Sequence, residues 1–148
     1  MIQRTLQAIF CDDIRQEVSG KHTLVGVYSG GLFVQNFPAM IASLSIFVRF
    51  MTAAKSTPES LSVRVVKGDQ VIHEFAVPGS DLKRIKESAP AGSSEENIQT
   101  MQFMIGLNQL PFEGDSALHV EALTDEGTYM STPLTIGQMP VQGSAAHA

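Results

Sequence analysis

The sequence has little cysteine, no tryptophan and no excess of basic residues, and each absence narrows the possible functions. Cys11 is the one cysteine among 148 residues, so no disulfide can form within the chain and the core alone must hold the fold. Lys and Arg number 10 against 15 Asp and Glu, and the net charge is −5. Because the basic residues are scattered rather than gathered in a stripe, we predict no binding to nucleic acid.

Long hydrophobic runs are also absent. The apolar stretches are interrupted by Ser, Gly or Arg, and they are far shorter than the roughly 18–20 residues that a membrane-spanning helix needs. The first apolar stretch contains Gln7 and ends at Asp12 and Asp13, which is not the pattern of a secretory signal peptide. The sequence therefore predicts a cytoplasmic protein without a membrane span.

Apolar residues are nevertheless plentiful enough for one compact domain. Hydrophobic residues make up 43% of the chain and charged residues 17%, a balance typical of a folded domain of this size. Residues 138–148 have no periodicity and no cluster to bury, so we predict a single domain over residues 1–137 and a disordered tail over residues 138–148. The most polar internal stretch, residues 88–97, is predicted to be a surface loop.

The apolar residues recur with a period of two between clusters of Gly, Pro, Asn, Asp and Ser, a pattern typical of short β-strands. The clearest strand is 44–51, where Leu44, Ile46, Val48 and Phe50 point to one side. Eight strands are predicted, over residues 3–11, 23–34, 44–51, 61–65, 71–77, 98–107, 117–123 and 128–136. At most one short helix is predicted, over residues 80–87 with Ser80 as its N-cap; the alternative for this segment is a polar extension of the sheet edge.

This pattern decides the fold class. No helical segment is long enough to connect neighbouring parallel strands, which excludes a doubly wound parallel sheet. We therefore predict an all-β fold, a two-layer antiparallel β-sandwich of about eight strands. The strand order, immunoglobulin-like or C2-like, depends on which strands pair, and periodicity does not report pairing.

Four short motifs follow one another near the start of the chain: Phe10-Cys11-Asp12-Asp13, Ser19-Gly20-Lys21, Leu24-Val25-Gly26-Val27-Tyr28 and Asn36-Phe37-Pro38. This order of motifs resembles a family of short, uncharacterised bacterial proteins of about the same length. The resemblance extends over residues 3–137 and implies a β-sandwich. It implies no catalytic residue.

The motifs have a structural explanation that needs no chemistry. An Asp at the end of a strand can accept backbone N–H bonds in a turn, and Gly20 followed by Lys21 suits the return into the next strand. Phe37, held extended by Pro38, offers a ring that closes one end of the sandwich. As candidate site residues we retain Cys11, Asp12, Asp13 and Lys21.

Two catalytic or ligand-binding alternatives are compatible with the residue types. Cys11, with His22 and a nearby Asp, has the composition of a cysteine-dependent hydrolase, although Cys11 also fits a buried strand position. Acidic residues at turns would bind Ca²⁺, as in a C2-like lipid-binding domain, if several met at one end of the sandwich. No Cys or His spacing predicts a zinc site, and we predict no cofactor, no metal and no catalytic residue.

The favoured prediction is a non-catalytic sandwich that binds another protein or itself, through an exposed edge strand or the end loops. A homo-oligomer is one form of this prediction. Phe47 and Met51 lie on the face of strand 44–51 opposite its core side, which would leave apolar area for a partner. These two residues are therefore the predicted partner surface.

Overall fold

A computed structural model of the chain describes residues 3–89, 92 and 97–140. This part of the chain forms ten β-strands, one α-helix and a 3-10 turn over Ala54–Ser56. The helix, α1, spans Gly79–Glu87. The strands are β1 (Thr5–Gln16), β2 (His22–Val27), β3 (Gly31–Val34), β4 (Ala39–Ala53), β5 (Leu61–Lys67), β6 (Gln70–Val77), β7 (Ile98–Phe112), β8 (Ser116–Thr124), β9 (Gly127–Met130) and β10 (Leu134–Gln138).

The strands form two sheets. Sheet I has the order β2-β1-β4-β7, and sheet II has the order β3-β10-β8-β5-β6, with β9 also paired to β8. Within the described residues every pairing is antiparallel except that of β3 with β10, which is parallel. The predicted all-β sandwich is confirmed, with one parallel pair that the sequence does not predict.

Alternate side chains from both sheets meet in one core. The inward side chains of β4 are buried as the alternation predicts, because a strand places every second residue on the same face. Phe50 of β4 contacts Tyr129 of β9 edge-on, with ring centroids 5.7 Å apart, so this contact joins the two layers. The fully buried apolar side chains of β4 and β8 are Leu44, Ile46, Val48, Phe50, Leu118, Val120 and Ala122.

The number of strands is higher than predicted because two of the predicted strands are each two strands. The predicted strand 23–34 breaks at Gly30, which has a φ of +106°, so that β2 stays in sheet I and β3 joins sheet II. The predicted strand 128–136 breaks at Pro133, which has no N–H to donate to a neighbour. As a result, β9 and β10 pair with different halves of β8.

The predicted helix is present as α1. Ser80 is not its N-cap: Pro78 holds that position, and no side chain caps the helix. The carbonyl of Pro78 instead accepts hydrogen bonds from the amides of Asp81 and Leu82, at 2.9 and 3.1 Å. Leu82 is 3% exposed and Ile85 packs against the core, so the helix closes the sandwich beside the start of β7.

Phe37 is half-buried against the core. This position agrees with the prediction that its ring closes one end of the sandwich.

The C-terminal boundary of the predicted domain lies within a strand. Gln138 belongs to β10, and the amide of Met139 donates to the carbonyl of Val34 at 2.7 Å, so the predicted tail begins inside sheet II. Residues 141–148 and most of the predicted loop 88–97 lie outside the described residues.

Among the described residues, α1 is the longest helix, and no helix has the length and hydrophobicity that a membrane crossing requires.

Candidate functional site

The hairpin of β1 and β2 folds back over the outer face of sheet I. β1 pairs with β4 through its first half and with β2 through its second half, so residues 12–26 form a two-stranded arm. His22 lies opposite Gln16 at the far end of the arm, whereas Phe47 of β4 lies opposite Ile9. A straight strand would separate those positions by about 23 Å. The two rings are 5.5 Å apart, so the arm bends back and covers Phe47.

Two of the sequence motifs meet where the arm begins. Gly26 has a φ of +68°, and a Cβ at this position would overlap the carboxylate of Asp12. The hydroxyl of Tyr28 donates to Asp12 Oδ1 at 2.7 Å, and the amide of Tyr28 donates to the carbonyl of Phe10 at 2.8 Å. Asp12 thus lies within β1 and accepts from an aromatic side chain, not from a turn at a strand end as predicted. The two motifs therefore form the base of the arm, which we call its joint.

Tyr28 in this joint has a raised pKa. Burial and, after it, the hydrogen bond to Asp12 raise the pKa of Tyr28 to about 12 from 10.0. The folded protein therefore holds the phenol proton more tightly than the unfolded chain does. The stability that this provides is complete below pH 10.0 and is lost as the pH rises towards about 12.

We expect Asp12→Asn to lower the pKa of Tyr28, because the substitution removes the negative charge beside the phenol. The pKa should stay above its ordinary value, since burial remains the largest cause of the shift. Ultraviolet titration of the phenolate measures this change. Asp13→Asn is the matched control, because Asp13 pairs with Arg15 instead of Tyr28: its Oδ2 lies 3.9 Å from Arg15 Nε. An equal effect of the two substitutions would show that the hydrogen bond to Tyr28 is not the cause.

Cys11 lacks the surroundings of a nucleophile. It is 0% exposed, and its Sγ donates to the carbonyls of Asp13 and Ser45 at 3.4 and 3.6 Å. Burial raises the pKa of the Cys11 thiol, which disfavours the reactive thiolate. His22, the residue that would activate the thiol, contacts Phe47 instead. This geometry gives no support to a cysteine-dependent hydrolase.

The four candidate motif residues do not form one site. Cys11 and Asp12 lie at the base of the arm, whereas Lys21 lies at its tip, where the carbonyl of Lys21 accepts from the amide of Glu17 at 2.7 Å. Lys21 and Glu17 line a cavity of about 550 Å³ at this tip. Cys11 does not line this cavity. We therefore assign these motif residues a structural role in the arm.

The arm also changes which apolar residues of sheet I are accessible. Phe47 is on the outer face, as the alternation predicts, but it is only 9% exposed because His22 packs on it. Met51 on the same face is half-buried. Met104 of β7 lies opposite Phe47 and is 50% exposed. The exposed apolar side chains of β4 and β7 therefore include Met40, Ile98 and Met104 rather than Phe47, and none of these three is a predicted partner residue.

A cluster of charges crosses the outer face of sheet II. The carboxylate of Glu121 on β8 accepts from Arg64 Nε on β5 at 2.6 Å and from His119 Nε2 at 2.9 Å. The side chains of Glu121 and His119 are 12% and 14% exposed. The hydrogen bond from His119, together with Arg64, lowers the pKa of Glu121, against the opposing effect of burial. The three side chains satisfy one another, which favours a structural role.

We expect Glu121→Gln to lower the free energy of unfolding by about 1–2 kcal/mol near pH 7, because two charge-assisted hydrogen bonds are lost. Since folding lowers the pKa of Glu121, its contribution is present above the ordinary value of 4.5 and disappears as the pH falls through the folded value. Denaturant titrations of wild type and Glu121→Gln, near pH 7 and at a pH below 4.5, measure the difference in the free energy of unfolding.

Glu74→Gln serves as the control for this prediction. Glu74 is on β6, where it lies opposite Arg64 on the side of β5 away from Glu121. It is exposed, so its substitution should have little effect. A loss of stability from Glu74→Gln as large as that from Glu121→Gln would contradict the assignment of the cluster.

The free edge of sheet I is long and uncharged. β7 pairs with β4 on one side, and no strand pairs with its other side in the part of the chain that the structure describes. Its fifteen residues include no Lys, Arg, Asp or Glu. Gln109 has a φ of +54°, and Pro111 follows it, so the irregular part lies at the end of the strand. The first eleven residues, 98–108, form a regular edge that we call the β7 edge.

The β7 edge is the feature that the sequence analysis missed. The alternation of residues 98–107 predicts a strand but not its position at the border of a sheet, because position depends on pairing. The available signal is the complete lack of charge from Ile98 to Phe112, which is unusual for a strand that has solvent on one side.

The structure offers no support for a calcium site. Within residues 3–89, 92 and 97–140, no three His, Cys, Asp or Glu side chains form a group that could hold a metal ion. Asp12 is bonded to Tyr28, and Asp125 accepts from the amide of Glu59 at 3.1 Å. Glu95 and Glu96, two of the turn acids considered for Ca²⁺, lie outside the described residues.

Comparison with other proteins identifies a family. No curated protein matches the chain, and no solved structure matches it. One family model matches residues 6–137, and its description is a family of unknown function, DUF6941. This match covers nearly the whole of the predicted domain and is consistent with the resemblance to an uncharacterised family. The chain belongs to the DUF6941 family of unknown function.

Proposed function

We propose that the protein is a non-catalytic interaction module that binds a partner strand along the β7 edge. The observation that carries the proposal is a fifteen-residue edge strand without a single charged side chain. An edge strand presents unpaired N–H and C=O groups, and it adds a further strand readily unless charge, proline, a bulge or short length prevents it.

The other sheet edges each carry one of these protections. β2 contains Gly26, whose φ of +68° departs from regular strand backbone, and β2 is part of the bent arm. β3 and β9 have only four residues each. β6 contains the charged Glu74, and its pairing with β5 shifts register between Val65 and Val66. The contrast with these edges supports the β7 edge as the surface used for binding.

Side chains beside the β7 edge add to what the backbone offers. On the outer face, Ile98 is 60% exposed and Met104 is 50% exposed. Gln102, which lies between them, is also exposed. In strand addition the main-chain bonds supply affinity and the alternate side chains supply specificity, so these three side chains are the expected determinants of partner choice.

Two clusters of polar side chains fit a function without catalysis. Asp12 and Tyr28 are bonded to each other in the arm, and Glu121 is bonded to Arg64 and His119 on sheet II. Each of these groups has a partner that explains its presence in the fold.

We expect Met104→Lys to weaken the binding of extended peptides, because a lysine on an edge strand opposes strand addition. A displayed library of random peptides about ten residues long, which matches the length of the β7 edge, would be selected on wild-type protein. The affinities of the selected peptides for both proteins would then be measured by fluorescence polarisation, with an expected loss of at least about tenfold.

Met130→Lys is the matched control for this experiment. Met130 is 60% exposed and lies in β9 of sheet II, so the same substitution there should leave peptide binding unchanged. Thermal unfolding establishes that both variants are folded. Failure to select any peptide from protein dilute enough to be monomeric, or equal binding of the peptides to wild type and Met104→Lys, would refute the proposed surface.

A further inference from the structure

We infer that the strand bound at the β7 edge is β7 of a second copy of this chain, paired antiparallel about a two-fold axis perpendicular to sheet I. This inference rests on the proposed function and names its partner. Pairing of this kind would join two four-stranded sheets into one continuous sheet of eight strands. Both copies would use the same surface, so the assembly would close as a dimer and leave no free β7 edge.

The distribution of charge favours a second copy. Each chain carries a net charge of −5, so two copies repel each other over most of their surfaces. The β7 edge is the exception, because it has no charged residue in any position. Consequently no register between two antiparallel β7 strands places like charges opposite each other. A chain with this net charge can approach its own copy most closely along this strand.

The alternation of β7 favours the same conclusion. In an antiparallel pair, residues that lie directly opposite each other point to the same face of the sheet. The two-fold axis would therefore place the inward side chains of one copy beside the inward side chains of the other. From residue 101 to residue 107 these are Met101, Phe103, Ile105 and Leu107, all apolar, while Gln99 near the start of the strand donates to the carbonyl of Ile85 in α1. A second copy thus continues the core layer of the first, with matching length and periodicity.

The rim of the core beside β7 supplies a further observation. β7 is the edge of sheet I, β6 is the edge of sheet II, and Phe103 and Phe75 meet between them with ring centroids 5.5 Å apart. Both rings are only partly buried against the core. Apolar side chains at an open rim are covered when a neighbouring strand is added to the sheet. The second copy would provide that strand, and its own Phe103 would be covered in return.

Light scattering of the full chain over a concentration series tests the inference. The series runs from about 1 µM to about 1 mM, the range in which weak pairs dissociate. Over this range the average mass of wild type should rise from the 16.0 kDa of one chain towards twice that mass. Met104→Lys should raise the dissociation constant at least about tenfold, because it places two lysines at the seam. Met130→Lys should leave it unchanged. Gln102→Lys is a second edge variant if Met104→Lys does not fold.

Salt adds a second arm to the same experiment. Because the seam contains no ion pair and the copies carry like net charge, added sodium chloride should strengthen the dimer. Weakening by salt would mean that charged surfaces elsewhere hold the copies together, and would overturn the inference. So would a constant mass of 16.0 kDa over the whole series, or dimers in which Met104→Lys and Met130→Lys behave alike.

The two proposals can fail separately. If the chain is monomeric throughout while selected peptides still bind wild type and not Met104→Lys, the β7 edge is a binding surface for another protein. In that case the inference of a second copy is wrong and the proposed function stands. If peptides and copies both fail to bind, both proposals are wrong.

Discussion

Phe50→Ala is expected to lower the free energy of unfolding by about 3–5 kcal/mol, the usual cost of removing a fully buried aromatic ring. Phe50 is 0% exposed and contacts Tyr129 across the interface between the sheets. The substitution removes buried apolar area, leaves a cavity between the layers, and deletes an edge-on ring contact. Chemical denaturation of wild type and variant gives the change directly.

Phe33→Ala is the control for the loss of the same ring from the surface. Phe33 is 59% exposed and covers Gly31 and Gly137 on the edge of sheet II. Its removal is expected to cost less than about 1 kcal/mol. If the two variants lost equal stability, the packing of β4 against sheet II would not be the source of the stability of this fold.

Gly26→Ala is expected to cost about 2–3 kcal/mol. Part of this cost comes from the φ of +68°, which a residue with a Cβ adopts at a penalty of about 1–2 kcal/mol. The rest comes from the overlap of the new Cβ with Asp12, which must move and give up its hydrogen bond from Tyr28. The loss of this bond should also appear as a lower pKa of Tyr28 in the ultraviolet titration.

Two comparisons separate these contributions. Gly106→Ala, in β7, adds a Cβ that meets no atom within 4 Å on ordinary backbone, and its effect should stay within about 0.5 kcal/mol. In an Asp12→Ala background, Gly26→Ala should cost about 1 kcal/mol less than in wild type, because the overlap is gone. An undiminished cost in that background would mean that Asp12 is not what Gly26 accommodates.

The sequence predicts the layers of this fold better than their arrangement. Alternation in residues 44–51 identifies which side chains face the core, and all four of those predicted are 0% exposed. Alternation is a local property, however, and it does not report the neighbour of a strand. Alternation therefore predicts one strand over residues 23–34, although Gly30 separates β2 and β3 into different sheets.

The same limit explains the outcome for the candidate site. Phe47 is correctly placed on the outer face of β4, but the arm that covers it returns from His22, a residue 25 positions away in the chain. The bend of the arm depends on Gly26 and Asp12 meeting across two strands. Likewise, residues 98–107 are recognisable as a strand from sequence, while their place at the border of sheet I is a consequence of the pairing of the whole sheet.

The arm and the β7 edge have different relations to sheet I. The arm covers the outer face over β1 and β4, where Phe47 is 9% exposed, and Met104 on β7 remains 50% exposed. One border of the sheet is thus closed by its own hairpin, and the other is open. This asymmetry is the physical basis for assigning the binding function to β7.

Amide hydrogen exchange along residues 98–108, measured by NMR at low and high protein concentration, tests the central claim most directly. In the dilute protein, the amides of β7 that bond to β4 should be protected, and the alternate amides that point away from β4 should exchange rapidly. At high concentration the alternate amides should become protected in wild type and in Met130→Lys, but not in Met104→Lys. Alternate amides that exchange at the same rate at every concentration, while protection appears on another strand, would contradict the account.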